Sequence, residues 1–330
     1  MGKNIILQKL KEFGLVLFRA ANDFLDDKCL KKSASLAYYS VFSIGPLLLI
    51  LIWALGFFYG NQLSSPTGAR DEIITELVQL FGADITNMLD AAMMKISFEN
   101  EQSLALYIGV GILIFSSTTI FIDIQNSINE IWKIKIKPKK GWLKLVIDRL
   151  ISFSMIIGLG FLLMLSLVLS SVIGILTTFF GQHFLEIDMR LIELINSGVT
   201  FVVTTTLFGL IFAFLPDAKV RFRDILAGAL FTALLFLLGK YLIAYYLSNN
   251  AIASSYGAAG SVIIMLAFVY YSAAILYYGA EFTKQYAIQF GKGIKPASYA
   301  VIIKQVEVEV ANGDSPDAIT KAKKSDNPDL

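Results

Sequence analysis

The stretch Ile225-Leu-Ala-Gly-Ala-Leu-Phe-Thr-Ala-Leu-Leu-Phe-Leu-Leu-Gly239-Lys240-Tyr241-Leu-Ile-Ala-Tyr-Tyr-Leu247 carries one formal charge, on Lys240. As a helix rising ~1.5 Å per residue it covers about 35 Å, against a hydrocarbon core of roughly 30 Å, so it reads as a transmembrane helix with an ammonium inside it. Steps of three or four residues from Lys240 reach Ala229, Ala233, Phe236 and Ala244, a stripe of mostly small side chains along which a neighbouring helix approaches closely. Two fates stay open for the cation. It faces protein or water as a functional group, or its stem carries it the ~10 Å of helix rise to the interface near Leu247.

Hydrophobic residues fill 56% of the 330 positions and charged residues 16%, a balance that belongs to a polytopic membrane protein. The single Cys29 forms no intramolecular disulfide, and with His183 as the one histidine there is no Cys/His metal set, so neither a metal nor a cofactor is expected. The N-terminus lacks a continuous apolar segment followed by a small-residue cleavage site, so no cleavable signal peptide is expected.

The pattern predicts an all-α fold with six transmembrane helices at about 33–59, 104–122, 150–180, 194–215, 225–247 and 260–280. Residues 1–32 form a cytoplasmic amphipathic helix: Ile6, Leu10, Phe13, Leu17, Ala21 and Phe24 share a face suited to lying on a leaflet, with a soluble-facing helix as the alternative. In the first span, Tyr38, Tyr39, Ser40 and Ser43 precede the helix-bending Pro46; their hydroxyls either serve a site or bond their own helix. The excursion 61–103 holds seven acids and keeps helical spacing, so it should form outer-face helices. The third span exceeds the core thickness and must tilt, protrude or break near Gly158 or Gly160. Residues 286–330 read as a cytoplasmic tail that becomes disordered beyond about Asn312.

Where the second span ends, Thr119, Asp123, Asn126 and Glu130 recur at four, three and four residues and line one face of a continuing helix. That stripe is a candidate site, or a helix emerging into water with Trp132 as an interfacial anchor. Lysines 133, 135, 137, 139, 140 and 144 follow, and Lys219, Arg221 and Arg223 lie ahead of the Lys240 helix. Counted by segment, 24 Lys and Arg fall on one side of the six spans and 3 on the other, which places both termini in the cytoplasm.

Several of these stretches together resemble one family: Ser35-Leu-Ala-Tyr-Tyr39 before Pro46, Asn126 to Trp132, Leu215-Pro-Asp217 with Arg221, Arg223 and Asp224 ahead of Gly228, Lys240, Tyr256-Gly-Ala258, and Gly279-Ala-Glu281. Over roughly residues 20 to 285 the chain is similar to the YihY/BrkB family of bacterial inner-membrane proteins, formerly labelled ribonuclease BN-like. The resemblance implies a six-helix fold in the bacterial plasma membrane and brings no established catalytic residues. Ribonuclease chemistry of the zinc type needs clustered histidines and carboxylates that this chain lacks. No Gly-x-Ser-x-Gly elbow or phosphate-cradling glycine loop is present either, so the chain is not expected to be an enzyme.

The leading expectation is a transporter or flippase of an anionic amphipathic molecule, with Lys240, Asp123, Asn126, Glu130, Tyr39, Ser43, Arg221 and Arg223 contacting the substrate. Its partners would be membrane lipids and an anionic lipid or small-molecule substrate, not nucleic acid. The alternative is a non-transporting envelope scaffold or regulator, in which the polar residues only glue helices together.

Overall fold

A computed structural model describes residues 2–40, 120–137, 154, 158, 189–249 and 258–303. The outer excursion 61–103, the third span apart from residues 154 and 158, most of the first and second spans, and Ser43 lie outside the described residues. So does the chain beyond residue 303.

The helices are α1 (Gly2–Asp26), α2 (29–40), α3 (120–131), α4 (Met189–Phe214), α5 (Phe222–Asn249) and α6 (Ala258–Gln289). Four short strands accompany them among the described residues: β1 (Ile134–Ile136), β2 (Ala218–Lys219), β3 (Lys295–Pro296) and β4 (Ala300–Ile302). Among the described residues three segments are long and apolar enough to cross a membrane, Ser197–Phe214, Phe222–Ile243 and Ile263–Gln289. They coincide with the fourth, fifth and sixth spans expected above.

Local chemistry sets the boundaries. Pro216 cannot continue α4, and Leu215 before it is pushed toward an extended backbone. Lys28 and Lys133 take left-handed φ values of 55° and 57°, closing α1 and α3 where glycine is the usual residue. α6 continues past the expected end at 280 to Gln289, because Glu281 and Lys284 find buried partners instead of water.

Helices α5 and α6 run antiparallel with their backbones unusually close. A Cβ placed on Gly228 would land on Thr283, one on Gly279 would land on Thr232, and one on Gly239 would land on the Tyr271 hydroxyl. The absent side chains are what permit this approach. Both threonines turn their hydroxyls back to their own helices, Thr232 to the Gly228 carbonyl and Thr283 to the Gly279 carbonyl, each at 2.7 Å. Ala229 and Ala233 of the expected stripe are fully buried and Phe236 half-buried, and a Cβ added at Gly209 of α4 would meet Ala229 Cβ at 3.7 Å. Phe208 of α4 meets Phe236 edge to face at 5.8 Å between centroids.

Helix α1 packs on the last turns of α6. Val16 and Ala20 are buried with Phe282, Phe13 meets Phe282 at 5.8 Å and Phe24 meets Tyr278 at 5.7 Å. Three residues of the face expected to lie on the leaflet, Phe13, Leu17 and Phe24, therefore pack against protein.

The strands are the departure from an all-α fold. β1 pairs antiparallel with β4, Ile134 opposite Ile302, and β2 pairs with β3, Ala218 opposite Pro296. Residues 290–303, expected to begin a polar tail, fold back onto the charged end of the helices through these ladders.

Candidate functional site

The polar residues of the described chain concentrate at the charged end, in two adjoining clusters. The first surrounds Lys284. Its ammonium lies 2.8 Å from Asp23 Oδ2 and 3.8 Å from Asp27 Oδ2, contacts Glu281 Oε2, and donates to the Ile131 carbonyl at 3.1 Å. Glu281 is wholly buried and Lys284 nearly so. Lys133, held in its left-handed turn, reaches Asp27 Oδ1, and Gln285 donates to Asp23 at 2.6 Å. Lys32 donates to the Asp27 carbonyl at 2.8 Å and pairs with Glu130 at 3.1 Å. Four helices are thus tied through one set of charges, each relieving its neighbour's desolvation.

This cluster moves the titrations around it. Burial pushes the Asp23 carboxyl up, but its hydrogen bond and charge interaction with Lys284 outweigh burial and hold it below the ordinary 3.8. Burial first, and then the Glu281 carboxylate, push the Cys29 thiol up to about 12, so Cys29 stays a protonated, inert thiol at neutral pH.

The second cluster centres on Asp217, the last residue of the Leu-Pro-Asp turn between α4 and α5. Asp217 Oδ2 accepts from Asn129 at 2.7 Å and Gln125 at 3.5 Å, and its Oδ1 accepts from the Tyr299 hydroxyl at 2.9 Å. Its backbone N–H donates to Asn129 Oδ1 at 2.8 Å, and its carbonyl accepts from Ala297 N–H at 3.0 Å. Trp132 is buried between the clusters and donates its indole N–H to the Ala280 carbonyl at 3.0 Å. It is a wedge between α3 and α6, not an interfacial anchor.

The expected site residues fall in different places. Asp123 is half-buried, and its Oδ2 has no hydrogen-bond partner among the described residues. It stands one residue past the end of the span expected at about 104–122; burial raises its carboxyl above the usual range, against the pull of Lys32. Asn126 and Glu130 are exposed, as are Tyr39, Arg221 and Arg223. Lys240 is half-buried in the second half of α5, near the end of its membrane-crossing segment, and makes no ion pair among the described residues. The structure brings Asn126 and Glu130 to one cleft of about 340 Å³, shared with Asn129, Lys133, Lys135 and Ile303 just past β4. Lys240 does not line that cleft.

Sequence reasoning passed over Gln125, Asn129, Asp217 and Lys284, the residues with the most buried polar contacts. Gln125 and Asn129 are spaced by four and were legible as a second polar stripe beside the one chosen. Among the described residues no group of three or more His, Cys, Asp and Glu side chains is placed to hold a metal ion.

Long apolar helices gathered at one end by buried ionic and amide clusters define a multi-pass membrane protein. The chain belongs to the family described as Virulence factor BrkB, whose family model matches residues 20–300. It is 28% identical over 289 residues to a UPF0761 membrane protein of Psychromonas ingrahamii, covering 86% of this chain and 91% of the relative. It is 26% identical to a UPF0761 membrane protein of Pseudomonas paraeruginosa, covering 79% of this chain and 60% of the relative. A relative in Alcanivorax borkumensis is 24% identical over 83% of this chain, and again 60% of its own length is covered. The chain thus spans about 60% of the length of several of its relatives. No solved structure matches it.

Proposed function

We propose that the chain is a six-span protein of the bacterial plasma membrane, both termini cytoplasmic, that moves an anionic amphipathic molecule, a lipid or an acidic small molecule, across the bilayer without chemical catalysis. The observation that carries this reading is Lys240, half-buried in a membrane-crossing helix with no ion pair among the described residues. A cation there is costly unless it reaches water or an anion visits it, and the proposed reading takes the second course. Thr205 Oγ1, buried in the neighbouring α4 without a hydrogen-bond partner among the described residues, supplies a second polar group within the span. Exposed Lys219, Arg221 and Arg223 at the start of α5, with the cleft holding Asn126, Lys133 and Lys135, would gather an anionic headgroup at the charged end.

The test uses the full chain in phosphatidylcholine vesicles containing fluorescent phosphatidylglycerol, with dithionite reading the dye's passage between leaflets. Lys240→Met should abolish passage while the protein stays folded, since removing an unpaired charge relieves up to about 2.5–3.5 kcal/mol at a helix centre. Lys240→Arg should retain part of it. Passage at the native rate in both variants would remove Lys240 from the site, and no passage with the native protein would end the lipid reading.

Orientation has its own test. A cysteine at Ser315 should be shielded from an impermeant thiol reagent in intact cells and one at Ser64 should react; the reverse labelling would overturn the topology.

A second reading, a non-transporting scaffold, is favoured by one observation: Asp217, Asn129 and Lys284 spend their polar atoms on contacts within the chain. The scaffold reading expects no dye passage and an assembly partner instead.

A further inference from the structure

Helix α1 has two apolar faces, and among the described residues only one meets protein. Val16 and Ala20 are buried against α6, flanked by the Phe13 and Phe24 ring contacts. About a third of the way round the helix lie Leu10, Gly14, Phe18 and Leu25. Leu10, Phe18 and Leu25 are 64%, 65% and 62% exposed, and nothing lies within 4 Å of a Cβ added at Gly14. Beyond this strip come Lys11, Asn22 and Arg19, all exposed.

We infer that the Leu10–Phe18–Leu25 strip lies in the boundary between headgroups and acyl chains of the leaflet that α6 leaves at its charged end. Three observations choose lipid as the occupant. α1 is fastened to the last turns of a helix long and apolar enough to cross a membrane, so its free face sits at the mouth of a span. The strip is narrow and continuous, and cationic side chains border it, the pattern of a helix lying in an interface. Its outward residues are large apolar ones, each more than 60% exposed, on a helix whose opposite side carries Gln8, Glu12, Arg19 and Asp26, with Leu15 less exposed at 44% among them. The strip shares only Leu10 with the face that the sequence pattern selects: Phe13, Leu17 and Phe24 of that face pack on α6, and Phe18 and Leu25 take their place toward lipid. The inference is independent of whether the protein transports anything.

The experiment introduces single cysteines at Leu10, Phe18 and Leu25, with Asn22 and Asp26 as controls, in the full chain. Cys29 is buried with its thiol pushed up to about 12, so it takes no label, and the native chain is the blank. Nitroxide labels are attached and the protein is reconstituted in vesicles of phosphatidylcholine and phosphatidylglycerol. The ratio of collisions with oxygen to collisions with a water-soluble nickel chelate should be severalfold higher at positions 10, 18 and 25 than at 22 and 26. Free access of the chelate to position 18 would place the strip in water and overturn the inference. Low access of both agents at 10, 18 and 25 would show protein covering the strip, as a second copy of the chain would, and would overturn it equally.

Discussion

Lys284→Met is expected to lower the stability of the folded protein by about 3–5 kcal/mol, because it strands Glu281, Asp23 and Asp27 around an apolar side chain. The lysine is 9% exposed and the Glu281 side chain 0%, so water cannot replace the lost partner without opening the packing of α1 on α6. A surface pair would cost far less. The double variant Lys284→Met with Glu281→Gln should be more stable than Lys284→Met alone, since it removes the buried charge left behind. The measurement is the unfolding temperature of detergent-purified protein, followed by tryptophan fluorescence. A single variant as stable as the native chain would show that the buried pair holds nothing together.

Acid should act on the same cluster. Asp23 has its carboxyl held below the ordinary 3.8, so its contribution is complete above that value and is lost as the pH falls through its lower folded value. The unfolding temperature should therefore fall only in strongly acidic solution as far as Asp23 is concerned.

Asp217→Ala is expected to cost about 3 kcal/mol, from hydrogen bonds to a charged acceptor worth roughly 1.5–3 kcal/mol each and from donors left unsatisfied. Asn129 and Tyr299 would lose acceptors at 2.7 and 2.9 Å, and Gln125 a longer one at 3.5 Å. Asp217→Asn should be milder, because its remaining carbonyl can still serve Asn129 while the Tyr299 hydroxyl rotates to accept from the new amide. Protease resistance of the segment around Tyr299 reports the effect directly. Equal resistance in the native chain and Asp217→Ala would remove Asp217 from its place as the hub.

What was legible in the sequence follows from the period of its hydrophobicity. Spans such as Ile225–Leu247 are set by length and apolarity alone, so the described membrane-crossing helices fall where they were expected. The small-residue stripe at Ala229 and Ala233 was also legible, since tight approach demands small side chains. The site was harder to read. Asp123, Asn126 and Glu130 share a helix face, but periodicity does not say which of two polar faces turns inward, and tertiary contact with Asp217 chose Gln125 and Asn129. Likewise nothing near Lys284 in the sequence points to Asp23 and Asp27, because these partners lie at the opposite end of the chain. The strands β1 to β4 are too short to leave any alternation to find.

The ladder between β1 and β4 also bears on how the protein is made. Ile136 pairs with Ala300, and Tyr299 beside that pair completes the shell of Asp217. At translation rates of about 5–20 residues per second, β4 leaves the ribosome on the order of ten seconds after β1. During that interval Asn129, Gln125 and the β1 edge wait without their last partners, although the helices they belong to have already been synthesised. Closure of the charged end is therefore a late event in biogenesis, and a nascent chain arrested before residue 299 exits would carry an unfinished end that quality-control proteases can recognise.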